Sequence, residues 1–188
     1  MKRAMLILSE GFEELEAVAP LDLLRRAGIE TVSASTGPEL TVAGGRGIRI
    51  QADRMLDDCL SERFDLVILP GGPGTDKLRK DARVLELVRR SHAEGTPLAA
   101  ICAAPVILAD AGIAAGHVIT SFPAREAELR PLVKSYVQDR VVVDGKVITS
   151  RGAGTAEEFA LALIGYLLGS AAAETVRAQI VARNPEAS

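Results

Sequence analysis

The stretch that most limits how this chain can fold is Pro97–Ala109, which reads Pro-Leu-Ala-Ala-Ile-Cys-Ala-Ala-Pro-Val-Ile-Leu-Ala. It is apolar from end to end, yet a thiol sits at its centre. Leu98–Ile101 suits a short buried strand, and Pro105 suits the first turn of a helix, where its missing N–H costs nothing. Cys102 then falls on the turn between them. Its alanine neighbours (Ala99, Ala100, Ala103, Ala104) let backbone pack closely around such a turn. A nucleophile elbow has this form, with the nucleophile on a sharp strand-to-helix turn and the next N–H facing the oxyanion. Taken alone, the stretch favours an inert buried thiol, because free cysteines are among the most buried residues.

The rest of the chain gives that stretch a sheet to belong to. Arg3–Leu8 reads as a buried strand, followed by a helix from Glu13 to Ala27 that Gly28 closes. Ile29–Ala34 reads as the second strand of a βαβ unit. Thr36–Gln51, with Ala43-Gly44-Gly45-Arg46-Gly47 at its middle, reads as a β-hairpin excursion. Asp53–Leu60 is expected to be a short helix and Asp65–Leu69 a central strand that breaks into Pro70-Gly71-Gly72-Pro73-Gly74. Ala82–Glu94 has the helical period, with Val84, Leu87 and Val88 inward. His117–Ser121 reads as a strand and Glu126–Leu132 as helical. Val141–Val143 and Val147–Ser150 flank Asp144-Gly145, expected as a type I′ hairpin turn. Thr155-Ala-Glu-Glu158 reads as a capping box opening a helix to Leu168, and Ser170 opens a second helix whose frayed end Pro185 marks. The expectation is one α/β domain over residues 1–188: an open, mostly parallel sheet with helices on both faces, a small hairpin excursion and a C-terminal helical extension.

Composition narrows the function. The 188 residues carry a net charge of −3 and only 3% aromatics, so neither a nucleic-acid nor an anionic-membrane partner is expected. Two cysteines cannot frame a secreted disulfide scaffold, which points to a reducing cytoplasm. The apolar run Ala4–Leu8 is too short for a signal-peptide core, and Leu98–Ala109 is too short to span a membrane. Cys59, His92, Cys102 and His117 lack metal-ligand spacing, and no metal is expected. The loop Gly71–Lys77 fails both the P-loop and the G-x-G-x-x-G spacings, so no nucleotide cofactor is expected either.

Glu16 is the second anomaly. Positions 16, 20, 23 and 27 share a helical face, and Pro20, Leu23 and Ala27 are apolar, so this carboxyl points where a core residue belongs. Pro20 also leaves the Glu16 carbonyl without its helical partner. The plainer alternative is a frayed first turn in which Glu13, Glu14 and Glu16 complement the helix dipole. Ligands of open parallel sheets bind beyond the carboxyl ends of strands. The first strand leads to Glu16, the third to Gly71-Gly72 and the fourth to Cys102, so all three reach one edge. A carboxyl beside a thiol, with backbone N–H groups of Gly72 and Ala103, makes a nucleophile site.

Leu69-Pro-Gly-Gly72, Ala99-Ala-Ile-Cys-Ala-Ala-Pro105, Glu13-Glu-Leu-Glu16 and Thr149-Ser-Arg-Gly-Ala-Gly-Thr155 resemble the ThiJ/PfpI superfamily (glutamine amidotransferase class I-like domains). The resemblance is closest to the branch of the parkinsonism-associated deglycase and bacterial YajL, and it runs from Arg3 to about Ala182. It implies a flavodoxin-like fold and a homodimer. It also implies a cofactor-free glyoxalase or deglycase acting on α-oxoaldehydes or their early adducts, or a peroxide-responsive chaperone. Cys102 matches the family's reactive cysteine and Glu16 its protonated partner. Gly71, Gly72 and Ala103 match the oxyanion loop, and Arg26 and Arg46 match arginines near the site and the dimer interface. The chain departs from the pattern at Phe122, where some members carry a histidine, and at Ala153, where some carry a proline. Phe122 is no base, so Cys102 is left with Glu16.

Overall fold

In the computed structural model, which describes residues 1–183, the short apolar runs become the strands of one sheet. Their two faces are covered by helices drawn from the segments between them. β1 (Arg3–Leu8), α1 (Glu14–Arg26) and β2 (Glu30–Ser35) form the opening βαβ unit. β3 (Thr41–Ala43) and β4 (Arg49–Gln51) pair antiparallel as the expected excursion. β5 (Arg54–Met55), α2 (Leu56–Cys59), β6 (Leu66–Leu69), α3 (Thr75–Leu78) and α4 (Ala82–Ala93) follow, then β7 (Leu98–Ile101) and α5 (Pro105–Asp110). β8 (Val118–Ile119), α6 (Glu126–Leu129) and β9 (Ser135–Tyr136) make a satellite, and β10 (Val141–Asp144), β11 (Val147–Ser150), α7 (Ala156–Leu168) and α8 (Ser170–Gln179) finish the described chain.

The seven-stranded order is β10-β11-β7-β6-β1-β2-β5, parallel except for the edge strand β10. Its middle, β2-β1-β6-β7-β11, is the flavodoxin-like order, whose ligand crevice lies where the winding reverses beside β1. Alternation sends Met5, Ile7, Val67 and Leu69 to one face, against Val84, Leu87, Ile107 and Leu108. Leu6, Leu8, Ile68 and Ile101 go to the other, against Leu24, Phe159, Leu163 and Val176. Each such fully buried side chain contributes about 1.5–3 kcal/mol. Two complete apolar layers therefore fix the sheet and leave its carboxyl edge rigid. No helix among the described residues is long and apolar enough to cross a membrane.

Several local expectations give way to tertiary contacts. Residues 53–60 are not one helix. Ser33 donates its N–H and hydroxyl to Asp53 Oδ2 (2.8 and 2.6 Å), and this draws Arg54-Met55 alongside Ala34-Ser35 as an edge strand before the helix starts. Of His117–Ser121 only Val118-Ile119 is strand, paired with Ser135-Tyr136 outside the main sheet. The Thr120 N–H turns to Thr149 Oγ1 (3.1 Å) and the chain leaves the ladder there. Glu126–Leu132 is one α turn followed by a 3₁₀ turn, since Pro131 cannot continue the helix. The β10–β11 turn is Gly145-Lys146, with positive φ at Gly145 only (61°), which is the type II′ pattern rather than type I′. Thr155 forms no capping box with Glu158, because its hydroxyl serves Ser150 and Gly152 while Glu158 pairs with Arg140. α3 is a single turn that no helical period in the sequence announces. Pro185 lies outside the described residues.

Candidate functional site

Cys102 has φ +64°, in the left-handed region that a residue with a Cβ enters only under constraint. Both of its backbone groups are held. Its N–H donates to the Ser150 carbonyl (2.9 Å), and its carbonyl accepts from the Phe122 N–H (2.8 Å). Strain of about 1–3 kcal/mol persists where surrounding structure over-determines the conformation in this way. The result is a thiol that leaves a buried strand yet stays half-buried, facing a cavity of about 550 Å³ lined among others by Glu16, Gly72 and Ala103.

Glu16 is fully buried in the first turn of α1. Its N–H donates to Glu13 Oε2 (2.9 Å), so Glu13 is the cap that starts the helix. Its Oε2 accepts from the Gly71 N–H (2.9 Å), and its Oε1 has no hydrogen-bond partner among the described residues. The glycines are required sterically. A Cβ on Gly71 would lie 2.8 Å from Cys102 Cβ and 2.8 Å from Glu16 Oε2, and one on Gly72 (φ +100°) would run into the backbone of Gly11 and Glu13.

Burial pushes the Glu16 carboxyl up to about 7, against the pull of the Cys102 thiol and the Gly71 N–H, with Glu13 adding to the rise. Burial first, and then the charge and hydrogen bond of the adjacent Glu16 carboxylate, push the Cys102 thiol up to about 12, opposed by the N–H groups of Ala103 and Gly72. A helix start alone would lower a thiol. Here desolvation and a like charge win, for as long as Glu16 is ionised. Once Glu16 holds its proton, the repulsion vanishes and the carboxyl becomes a donor toward sulfur, while the two N–H groups remain. Near neutral pH it is therefore the carboxyl that gains and loses a proton, beside a thiol that keeps its own.

The structure brings together Cys102, Glu16, Gly71, Gly72 and Ala103. Arg46 lines the same cavity, its N–H anchored on Glu14 Oε1 (2.6 Å). Arg26 does not. It pairs with Asp22 (2.9 Å) on the outer face of α1, beside a separate groove. Phe122, 45% exposed, and Ala153 form cavity wall. Sequence reasoning missed Pro73, Ala124 and Arg125, which also line it. Arg125 had a faint signal in the turn Phe122-Pro-Ala-Arg, which leaves the same sheet edge. Glu13, a helix start and dipole partner in the sequence, also lines the cavity. Among the described residues no group of three or more His, Cys, Asp or Glu side chains is arranged to hold a metal ion.

The chain has known relatives. The sequence model of the DJ-1/PfpI family matches residues 2–165. The chain belongs to the DJ-1/PfpI family. The Drosophila melanogaster protein dj-1beta is 42% identical over 170 residues, covering 89% of this chain and 90% of that protein. The crystal structure of Drosophila DJ-1beta superposes with a TM-score of 0.94, covering 97% of this chain and 99% of that one at 39% identity. A Caenorhabditis elegans relative named glutathione-independent glyoxalase DJR-1.2 is 37% identical over 169 residues, covering 89% of this chain and 90% of that protein. The α/β fold read from the strands is thus the fold of DJ-1 proteins.

Proposed function

We propose that the whole chain acts as a single, cofactor-independent glyoxalase or deglycase domain, with Cys102 as nucleophile and Glu16 as proton shuttle. The observation that carries this reading is a thiol held on a left-handed turn between a buried carboxyl and two backbone N–H groups. The name of the C. elegans relative supports the substrate class, small α-oxoaldehydes or their early adducts.

The steps balance without an external oxidant. The Cys102 thiolate adds to the aldehyde carbon, and the Gly72 and Ala103 N–H groups bind the developing oxyanion. Glu16 gives that oxygen its proton, leaving a hemithioacetal and a carboxylate. The carboxylate takes the proton from the former aldehyde carbon, forming an enediol, and returns it to the adjacent carbon. The first carbon is thereby oxidised to a thioester and the second reduced to an alcohol. Water cleaves the thioester, releasing the hydroxy acid and restoring the thiol. A carboxyl near 7 suits a group that must both give and take a proton at neutral pH. Purified protein mixed with methylglyoxal should yield lactate. Undiminished turnover by Cys102→Ser would exclude the covalent route.

A second reading has its own support. The N–H groups of Gly72 and Ala103 would also stabilise an oxidised sulfur, so Cys102 could report peroxide and switch a holdase chaperone. Mild peroxide should then place a sulfinate on Cys102 well before the fully buried Cys59. Equal modification of both would count against it. Either reading needs a reduced thiol at rest, which suits a cytoplasmic location. A homodimer also fits, since Leu15 and Val18 on the outer face of α1 are exposed beside a groove that includes Ile180 and Arg26. A monomer by light scattering at micromolar concentration would remove it.

A further inference from the structure

Two segments flank the Cys102 turn at the carboxyl edge of the sheet, and they are held unequally. Residues 71–78 are well anchored. The Gly71 carbonyl accepts from the Glu13 N–H (2.9 Å), the Gly74 N–H donates to the Gly11 carbonyl (2.8 Å), and Thr75 and Leu78 are buried. Residues 120–125 are held from behind, where the Thr120 N–H donates to Thr149 Oγ1 (3.1 Å) and the Tyr136 hydroxyl lies 3.0 Å from Ser121 Oγ. Toward the cavity this turn does the holding. Its Phe122 N–H donates to the Cys102 carbonyl (2.8 Å), one of the two backbone groups that keep the thiol on a left-handed turn.

Arg125 joins the two segments. Its N–H closes the turn on the Phe122 carbonyl (2.9 Å), and its guanidinium reaches Asp76 Oδ1 in α3 (2.6 Å) and Glu128 Oε2 in α6 (3.2 Å). Among the described residues no other hydrogen bond runs between 71–78 and 120–125. Glu128 is fixed in turn by Arg79 (2.6 Å), which also pairs with Asp110 (2.6 Å). Two carboxylates offset the single positive charge of Arg125, so what it supplies to the cavity is geometry rather than field. The Asp76 side chain is 60% exposed, so this arm adds little to the stability of the whole fold.

We propose that Arg125 is a positioning residue: through Asp76 and Glu128 it fixes the 122–125 turn against the anchored 71–78 segment, and so keeps the Phe122 N–H on the Cys102 carbonyl. This rests on the reading of Cys102 as nucleophile. The chain of contacts runs from the anchored loop to Asp76, to Arg125, to the Phe122 N–H and to the Cys102 backbone, so Arg125 acts through Phe122 rather than on substrate. A residue with a Cβ stays at positive φ only while its surroundings over-determine it. A turn free to drift releases one of the two groups that do so here, and a small misplacement at a reacting centre is costly in rate.

The test pairs two readouts: amide hydrogen exchange at Phe122, resolved by NMR, and kcat and KM for lactate formation from methylglyoxal. It is run on wild type, Arg125→Ala, Arg125→Lys, Asp76→Ala and the double variant Arg125→Ala/Asp76→Ala. Exchange at Phe122 should quicken about tenfold in Arg125→Ala, which loses two partly exposed ion pairs, and about threefold in Asp76→Ala, which loses one. The amides of Ile68 and Ala99 in the central strands should stay near wild type. kcat should fall in the same order, with KM within about twofold of wild type. Arg125→Lys should lie between wild type and Arg125→Ala, and the double variant should lose no more than Arg125→Ala, because the tie is already gone. Wild-type exchange at Phe122 in Arg125→Ala would overturn the proposal, as would full kcat in a variant whose Phe122 amide is loosened. Equal acceleration at Ile68 and Ala99 would overturn it too, leaving Arg125 a fold-stabilising pair. So would a loss of kcat in Arg125→Ala with Asp76→Ala unaffected, which would assign the charge of Arg125 to the substrate. If exchange responds as stated while neither wild type nor any variant makes lactate, the glyoxalase reading fails and the tie stands. If lactate forms and exchange does not respond, the tie alone fails. Should Arg125→Ala not fold, Arg125→Lys and Asp76→Ala decide the matter.

Discussion

The chain has two cysteines, and their surroundings separate burial from activation. Cys59 closes α2 with no exposed surface, inside the apolar layer that also holds Val84 and Leu87. Burial raises its thiol, Arg54 lowers it, and Glu62 and Asp58 raise it again. Cys102 is raised by burial too, and then by a carboxylate. By acidity alone neither would be singled out as a nucleophile. The difference lies in what each sulfur can exchange. Cys102 has a proton partner that is itself near 7, two backbone N–H groups and a cavity, while Cys59 has packing. On the function proposed above, a reactive thiol is a property of a coupled pair and its donors, not of one residue's resting pKa.

The largest effect should come from the pair's sulfur. Cys102→Ser should remove α-oxoaldehyde turnover to background, because an alkoxide is not formed under these conditions and Glu16 has nothing to exchange with. The same substitution at Cys59 should leave kcat within twofold. Comparable losses at both positions would erase the contrast and return Cys102 to a structural role.

Glu16→Gln comes next. It keeps the volume and can still meet the Gly71 N–H, but it cannot shuttle a proton, so kcat should drop by about 10²–10⁴. It also has a stability signature. The folded carboxyl is raised from 4.5 to about 7, so the native state binds more protons than the unfolded state across that window. Stability is then full below about 4.5 and is lost as pH rises through about 7, by about 3 kcal/mol in all. The Gln variant should lack this slope, and urea titrations of both proteins between pH 4 and 8 would show it. Parallel curves would mean that Glu16 is hydrated and not the buried partner described above.

Much of this contrast could be read before any coordinates. The strands were legible because a sheet covered on both faces needs continuous apolar runs, and Leu66–Leu69 and Leu98–Ile101 are such runs. Glu16 was legible as a carboxyl on an apolar helical face. Illegible features depended on partners distant in sequence. Arg54-Met55 became strand through Ser33, and Thr155 gave its hydroxyl to Gly152 rather than to its own helix. Arg26 fell outside the cavity because the last turn of α1 presents it to Asp22, four residues back. The direction of the Cys102 shift has the same kind of cause. A turn of helix is visible in the sequence, whereas the desolvation that outweighs it is not.

Gly71→Ala should sharpen the comparison from the backbone side. The added Cβ would meet Cys102 Cβ, Glu16 Oε2 and the Ala103 N at 2.8–2.9 Å, so the pair and its donor must move apart. A displacement approaching 1 Å at a reacting centre costs about 10²-fold. Gly116→Ala, with nothing within 4 Å of the new atom, is the matched control and should be silent. A silent Gly71→Ala would show that the thiol and carboxyl tolerate separation.

The smallest effect belongs to Cys59→Ala, which removes one sulfur from a fully packed layer. It should cost about 1 kcal/mol, as other small deletions in cores do, and lower the melting midpoint by about 2–4 °C. Activity and the alkylation profile of Cys102 should be unchanged, since Cys59 packs against the α4 and α5 side of the sheet, away from the cavity at its carboxyl edge. A loss of turnover beyond what the fraction unfolded explains would mean that the two thiols communicate through the sheet. The separation of packing from activation would then not hold.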